Sequence, residues 1–182
     1  MRLLGDGGLA PTVRQRRRHD ELEARCAALY PKLVGSLTLH LGDQRLAEDL
    51  TQETFVRLYA KWSTIPPERV AAWCYRVAFN LAASWFRRRA AERRAYSRHG
   101  GPGKVWVDAE TADVIAVRAA IGSLPDRPRT AIILRYYAEL SIEEIGRTMN
   151  CPPGTVKSYL HRAIAALRES GLVDPEEVLA RA

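Results

Sequence analysis

The segment from Ser141 to Arg168 leaves the chain the least freedom. Ser141 followed three residues later by Glu144 is a capping box, in which the hydroxyl accepts from the third helical N–H and the carboxylate reaches back to the cap's own N–H. A short helix, Ile142 to Met149, starts there. Asn150 tolerates the left-handed conformation that ends it, and Pro152-Pro153 forces a tight turn, with Pro153 suited to the first position of the next helix. That helix begins beside Gly154 and turns Val156, Leu160, Ala163 and Leu167 inward, while Gly146 lets the two helices approach closely. The pattern is a helix-turn-helix.

The rest of the chain is read as all-α. Aliphatic and aromatic residues recur at helical spacing, and no alternating run of Val, Ile or Thr is bounded by turn residues as a strand would be. A disordered basic arm, residues 1–19, is expected, and it ends in Arg14, Arg16, Arg17 and Arg18. Helical pattern then runs from about Asp20 through Leu22, Cys26, Leu29, Leu33 and Leu37, with Pro31 a candidate break, and Gly42-Asp43 gives a turn. A second helix is expected from about Ala47 to Trp62, with Phe55, Leu58, Tyr59 and Trp62 on one face and Asp49, Glu53 and Arg57 on another. Pro66-Pro67 closes a loop before a long aromatic helix, about Glu68 to Arg94, with Trp73, Val77 and Leu81 as its core side and Trp73 largely buried. His99-Gly100-Gly101-Pro102-Gly103 marks a linker. The expected division is therefore a helical domain over 20–96, a flexible linker over 97–112, a second domain over 113–170 and a tail over 171–182. The second domain opens with Val114, Val117, Ile121 and Leu124 at helical spacing and continues with a helix from Pro128 to Glu139.

Charge narrows the partners. With 28 Lys+Arg against 21 Asp+Glu, the net charge is +7, which favours a polyanion, nucleic acid before an anionic membrane surface. No stretch approaches the roughly 20 apolar residues that span a bilayer, so no membrane insertion is expected. Cys26, Cys74 and Cys151 lie far apart without metal-ligand spacing, which suggests reduced thiols in a cytoplasm and no zinc site. A nuclease would need clustered carboxylates or His/Cys groups, and His19, His40, His99 and His161 form no such set, so neither an enzyme nor a cofactor is expected.

In the helix-turn-helix the outward residues are Thr155, Lys157, Ser158, His161 and Arg162. Lys157 and Arg162 can pair with guanine acceptors or phosphates, and Thr155 and Ser158 can donate to the DNA backbone. The long aromatic helix carries a polar stripe, Arg76, Asn80, Ser84 and Arg87, beside Trp73, Tyr75, Phe79, Trp85 and Phe86. Basic residues interleaved with aromatics suit single-stranded DNA, where stacking contributes about 1–3 kcal/mol per base.

The run Leu124-Pro125, Arg129, Leu134-Arg135-Tyr136, Leu140-Ser141-Ile142-Glu143-Glu144-Ile145-Gly146, Gly154-Thr155-Val156-Lys157-Ser158, His161-Arg162-Ala163 and Leu167-Arg168 resembles the C-terminal domain of extracytoplasmic-function (ECF) sigma factors. Independently, Ala47-Glu48-Asp49-Leu50-Thr51-Gln52-Glu53-Thr54-Phe55 and Ala72-Trp73-Cys74-Tyr75-Arg76-Val77-Ala78, followed by Asn80-Leu81-Ala82 and Arg87-Arg88, resemble the N-terminal domain of the same family. The resemblance implies a sigma region 2 bundle and a sigma region 4 helix-turn-helix. Together they would bind core RNA polymerase, direct it to promoter DNA and help open the duplex.

By the same resemblance, Thr155, Lys157, Ser158, His161 and Arg162 would read the minus-thirty-five element as duplex. Arg76, Asn80, Ser84, Arg87 and Arg88, with a specificity loop at about Lys61 to Arg69 that includes Trp62, Ser63 and Thr64, would take the melted minus-ten strand. Asp49, Gln52, Glu53 and Arg57 would dock on the clamp of the polymerase's largest subunit, the flap of the second largest would be a further contact, and an anti-sigma factor would hold the protein inactive. Two departures stand out: Pro152 where a side-chain cap such as serine is common, and Tyr159 where arginine is frequent. The rival reading, a stand-alone dimeric helix-turn-helix regulator, leaves the N-terminal motifs unexplained.

Overall fold

The computed structural model describes residues 13–95 and 112–169, and every regular element among them is helical. The expected linker (apart from Ala112, which starts a helix), the expected tail and residues 1–12 of the N-terminal arm lie outside the described residues.

Three helices form the first module. Helix α1 (Val13–Leu41) corrects the expected disordered arm, because its residues 13–19 are already helical, and the helix runs unbroken through Pro31. A proline inside a helix costs about 3 kcal/mol, but Pro31 and Ala27, whose carbonyl loses its partner, both lie on the exposed face, and Leu22, Leu33, Leu37 and Leu39 bury the same helix on either side of it. Gly42, at φ 72°, makes the turn. Helix α2 (Gln44–Lys61) then starts at Asp43, whose carboxylate accepts from the Leu46 N–H at 3.0 Å. Its buried stripe is Ala47, Leu50, Thr51, Thr54 and Leu58. The two threonine hydroxyls donate back to the Ala47 and Leu50 carbonyls at 2.8 and 2.7 Å, which removes the cost of burying them. Tyr59, expected on the packed face, is instead 67% exposed, because the stripe ends at Leu58.

A 3₁₀ turn, Pro67–Arg69, leads into α3 (Val70–Ala95). Here the sequence reading needs correction. Trp73, Val77 and Leu81 are only half-buried, and the core stripe is Val70, Cys74, Tyr75, Ala78, Phe79 and Ala82. Helix α3 is gripped from two sides, by α1 and α2 and by the second module. The small residues Cys74, Ala78 and Ala82 are fully buried within that stripe, whereas the larger ring of Trp73 is only half-buried.

The second module comprises α4 (Ala112–Ser123), α5 (Asp126–Ile132), a π turn (Ile133–Tyr137), α6 (Ile142–Met149) and α7 (Pro153–Glu169). The expected Pro128–Glu139 helix starts earlier, at Asp126, and ends differently: the Ala138 N–H bonds the Ile133 carbonyl at 3.0 Å and Glu139 reverses the chain at φ 58°. Val117, Ile121, Leu124, the run Ala131 to Leu134, Ile145, Val156, Ala163 and Leu167 form this core.

The modules are packed together. Helix α6 lies on α3, and α1 touches both α4 and the π turn. Among the described residues no helix is long and apolar enough to cross a membrane.

Candidate nucleic-acid interface

The helix-turn-helix forms as its capping residues dictate. The Ser141 N–H donates to Glu144 Oε2 at 2.9 Å, and the Glu144 N–H donates to Ser141 Oγ at 3.2 Å. Asn150 ends α6 in the left-handed region (φ 52°, ψ 54°). Gly146 is required by the turn rather than by the facing helix: a Cβ there would stand 2.9 Å from the Cys151 carbonyl oxygen, and the Cys151 N–H in turn bonds the Gly146 carbonyl at 3.0 Å. The Pro152 carbonyl takes over part of the start of α7, accepting from Thr155 and Val156 N–H at 2.9 and 3.2 Å. A serine cap is therefore not needed for the helix to begin.

Along α7, Lys157, Ser158, His161 and Arg162 are exposed and Thr155 is half-buried, whereas Val156, Ala163 and Leu167 are buried. The expected outward set thus shares one accessible surface. Ser158 donates its hydroxyl proton to the Gly154 carbonyl at 3.1 Å, so towards DNA its oxygen acts as an acceptor. Tyr159 is half-buried and lies beside Pro125, Pro128 and Arg162.

On α3, Arg76, Asn80, Arg87 and Arg88 are exposed. Ser84 is half-buried and accepts from Arg87 Nη2 at 2.8 Å, which aligns that guanidinium with the helix face. The aromatics divide. Tyr75 and Phe79 are buried and serve the core, while Trp73, Trp85 and Phe86 keep part of their surface exposed. Trp85 meets Phe86 edge-on at 5.2 Å, and the Arg89 guanidinium sits 4.9 Å above the Trp85 ring. In the loop before α3, Ser63 and Thr64 are exposed, Thr64 is held by N–H and hydroxyl bonds to the Lys61 carbonyl, both 2.8 Å, and Trp62 is half-buried against the core.

A third surface lies on α2. Asp49, Gln52, Glu53 and Arg57 are all exposed, and Arg57 Nε pairs with Glu53 Oε1 at 2.8 Å. Val56 and Tyr59, 66% and 67% exposed, give the same face apolar content that periodicity had assigned partly to the core.

Two residues that join the modules escaped the sequence reading in this role. Arg129 donates from Nε and Nη2 to the Leu124 carbonyl at 3.2 and 2.6 Å, from Nη2 to the Gly122 carbonyl at 2.9 Å, and from Nη1 to the His40 carbonyl at 3.2 Å. One guanidinium thus closes the C-terminal ends of α4 and α1, where unpaired carbonyls and the negative helix ends both favour a cation. His40 packs against Phe79 and Phe86, with ring centroids 5.2 and 5.8 Å away. Burial, reinforced by the Arg129 charge and only partly opposed by Asp126, lowers its pKa to about 4. The residues are 89 positions apart and meet through a backbone carbonyl, a contact that leaves no pattern in the sequence.

No group of His, Cys, Asp and Glu that could hold a metal ion occurs among the described residues. Cys26, Cys74 and Cys151 are free, and burial pushes the Cys74 thiol up to about 12, so it stays protonated.

Comparison with known proteins agrees with this geometry. Residues 27–92 match the family model described as sigma-70 region 2, and residues 115–167 match that of sigma-70, region 4. The chain is 34% identical over 144 residues to the ECF RNA polymerase sigma factor SigW of Bacillus subtilis, covering 71% of this chain and 77% of the relative. It is 36% identical over 138 residues to the ECF RNA polymerase sigma factor SigE of Mycolicibacterium smegmatis, covering 70% of this chain and 52% of the relative. The fold matches that of the sigma factor RpoE from Bartonella quintana, solved in complex with the anti-sigma factor NepR, with a TM-score of 0.74, 24% identity, and coverage of 85% of this chain and 98% of that one. The chain therefore belongs to the ECF sigma factors, which direct RNA polymerase in the initiation of transcription.

Proposed function

We propose that the two modules read two parts of one promoter. Helix α7 enters the major groove of the minus-thirty-five element, with Lys157 and Arg162 on base edges or phosphates and Thr155, Ser158 and His161 beside them. Helix α3 and the loop before it take the melted minus-ten strand: Asn80 reads an extruded base, Arg76, Arg87 and Arg88 hold phosphates, and Trp62, Ser63 and Thr64 shape the loop that receives the base. The observation that carries this reading is the presence of two separate exposed polar surfaces on one chain, a basic recognition-helix face on α7 and an arginine–asparagine stripe flanked by aromatics on α3. A stand-alone regulator has use for the first only.

The exposed α2 face, Asp49, Gln52, Glu53 and Arg57, docks on the clamp of the largest polymerase subunit, and the second module engages the flap of the second largest. As the Bartonella relative is held by NepR, an anti-sigma factor holds this chain by covering such surfaces. Run-off transcription with purified core polymerase on genomic fragments tests the assignment. Transcripts above the core-only background are expected, and Arg76→Ala with Asn80→Ala is expected to reduce them without weakening binding to core. Absence of any added transcript refutes the proposal.

A further inference from the structure

A cleft of about 350 Å³ opens where the end of α1, the middle of α3, the start of α5 and the end of α6 meet. Small-molecule sites span about 300–1,000 Å³, so its volume suits a compact ligand. Phe79, Phe86 and His40 give the cleft an aromatic side, with the two phenyl centroids 5.2 and 5.8 Å from the imidazole. Arg87 from α3 and Arg127 from α5 give it two cations, one from each module.

Two residues of this lining carry unpaired polar atoms. His40 is 6% exposed and Thr148 4%, and Nδ1 of the first and Oγ1 of the second are buried without a hydrogen-bond partner among the described residues. Leaving such atoms unpaired costs stability. Two of them on one cleft, contributed by different modules, point to a partner that comes from outside the chain.

The charges are unbalanced as well. Asp126 is the one carboxylate of the lining, and it also lies 4.0 Å from the Arg129 guanidinium. His40 is held neutral by burial. Arg87 is anchored on Ser84 Oγ at 2.8 Å and Arg127 on the Met149 carbonyl at 3.0 Å, and each guanidinium has further donors for an anion. Two such forks suit a phosphate group. A phosphate alone would leave the aromatic side and the unpaired atoms unused, whereas a flat heterocycle would use both. The amides of Asn80 and Asn150 add groups that donate and accept around it.

From these features we infer that the cleft binds a mononucleotide: its base lies against the aromatic side and hydrogen-bonds His40 and Thr148, and Arg87 and Arg127 clasp its phosphate. The site shares Asn80 and Arg87 with the surface proposed for DNA but does not depend on that role. Because the ligand touches both modules, its binding stabilises the folded chain in proportion to its concentration.

The test uses the full chain, with the 5′-monophosphates of adenosine, guanosine, cytidine and uridine as probes and inorganic phosphate as the comparison. Titration calorimetry reads affinity and urea unfolding reads stability. One or more of the nucleotides is expected to bind about tenfold more tightly than phosphate, as stacking of one base allows, and to raise the urea midpoint. Arg127→Ala removes a charged donor and should weaken that binding by about tenfold to a hundredfold.

Thr148→Val keeps the shape and removes the hydroxyl. Binding should fall about tenfold, while the ligand-free chain should be at least as stable as wild type, because an unpaired buried atom has gone. A merely structural hydroxyl would lose stability and leave affinity alone. Thr130→Trp places an indole in the cleft and should block the nucleotide. Arg25→Ala removes an exposed cation of α1 outside the cleft and should change nothing. Nucleotides that bind no better than phosphate, unchanged affinity in any of the three cleft variants, or an equal loss in Arg25→Ala overturns the inference.

Discussion

Replacing Arg129 with alanine removes one side chain and releases two helix ends. The guanidinium makes four hydrogen bonds to three carbonyls, at 2.6 to 3.2 Å, and the side chain is 18% exposed. Burial lowers its pKa, but a guanidinium stays charged in proteins. A hydrogen bond from a charged group contributes about 1.5–3 kcal/mol net. Two of the four share the Leu124 carbonyl, and truncation also recovers the cost of desolvating the cation, so the contributions do not add. A loss of about 3 kcal/mol is expected for Arg129→Ala, of the order of a single good charged interaction. Arg129→Lys keeps a cation near both helix ends but cannot span three acceptors, and should recover about half of that. Urea unfolding followed by far-ultraviolet circular dichroism measures both. A loss below about 1 kcal/mol for alanine, or full recovery by lysine, would refute the view that the planar fork joins the ends of α1 and α4.

His40 predicts a pH dependence. Its pKa falls from 6.5 in the unfolded chain to about 4 in the folded one, so between those values the unfolded state binds more protons and stability decreases as pH is lowered. At most about 3 kcal/mol is at stake, and His40→Phe, which keeps the ring contacts, should flatten that part of the stability profile; an unchanged profile would count against burial as the cause. Ser141→Ala removes half of the capping box and should cost about 1 kcal/mol, seen as a lower urea midpoint together with weaker duplex binding through α7. Gln52→Lys combined with Glu53→Lys should abolish binding to core polymerase in a pull-down while leaving the circular dichroism spectrum unchanged, and retained binding would remove α2 from the docking surface.

Where local chemistry dominates, the amino-acid order determined the outcome. The Ser141–Glu144 box, the left-handed Asn150 and the start of α7 at Pro153 lie where capping and proline geometry put them, because each depends on atoms within a few residues. The exposed stripe of Arg76, Asn80 and Arg87 follows from helical periodicity in the same way. Tertiary packing decided what periodicity leaves open. A helix pressed from two sides has no single apolar face, so in α3 the small residues Cys74, Ala78 and Ala82 are fully buried and Trp73 only half-buried. Pro31 was absorbed into α1 because burial on either side of it outweighs one lost backbone bond. Arg129, within a motif that marks its module, gained a second role at the His40 carbonyl only when the modules met. The placement of α6 over α3 likewise belongs to the folded chain, since it is set by long-range contacts that no local pattern encodes.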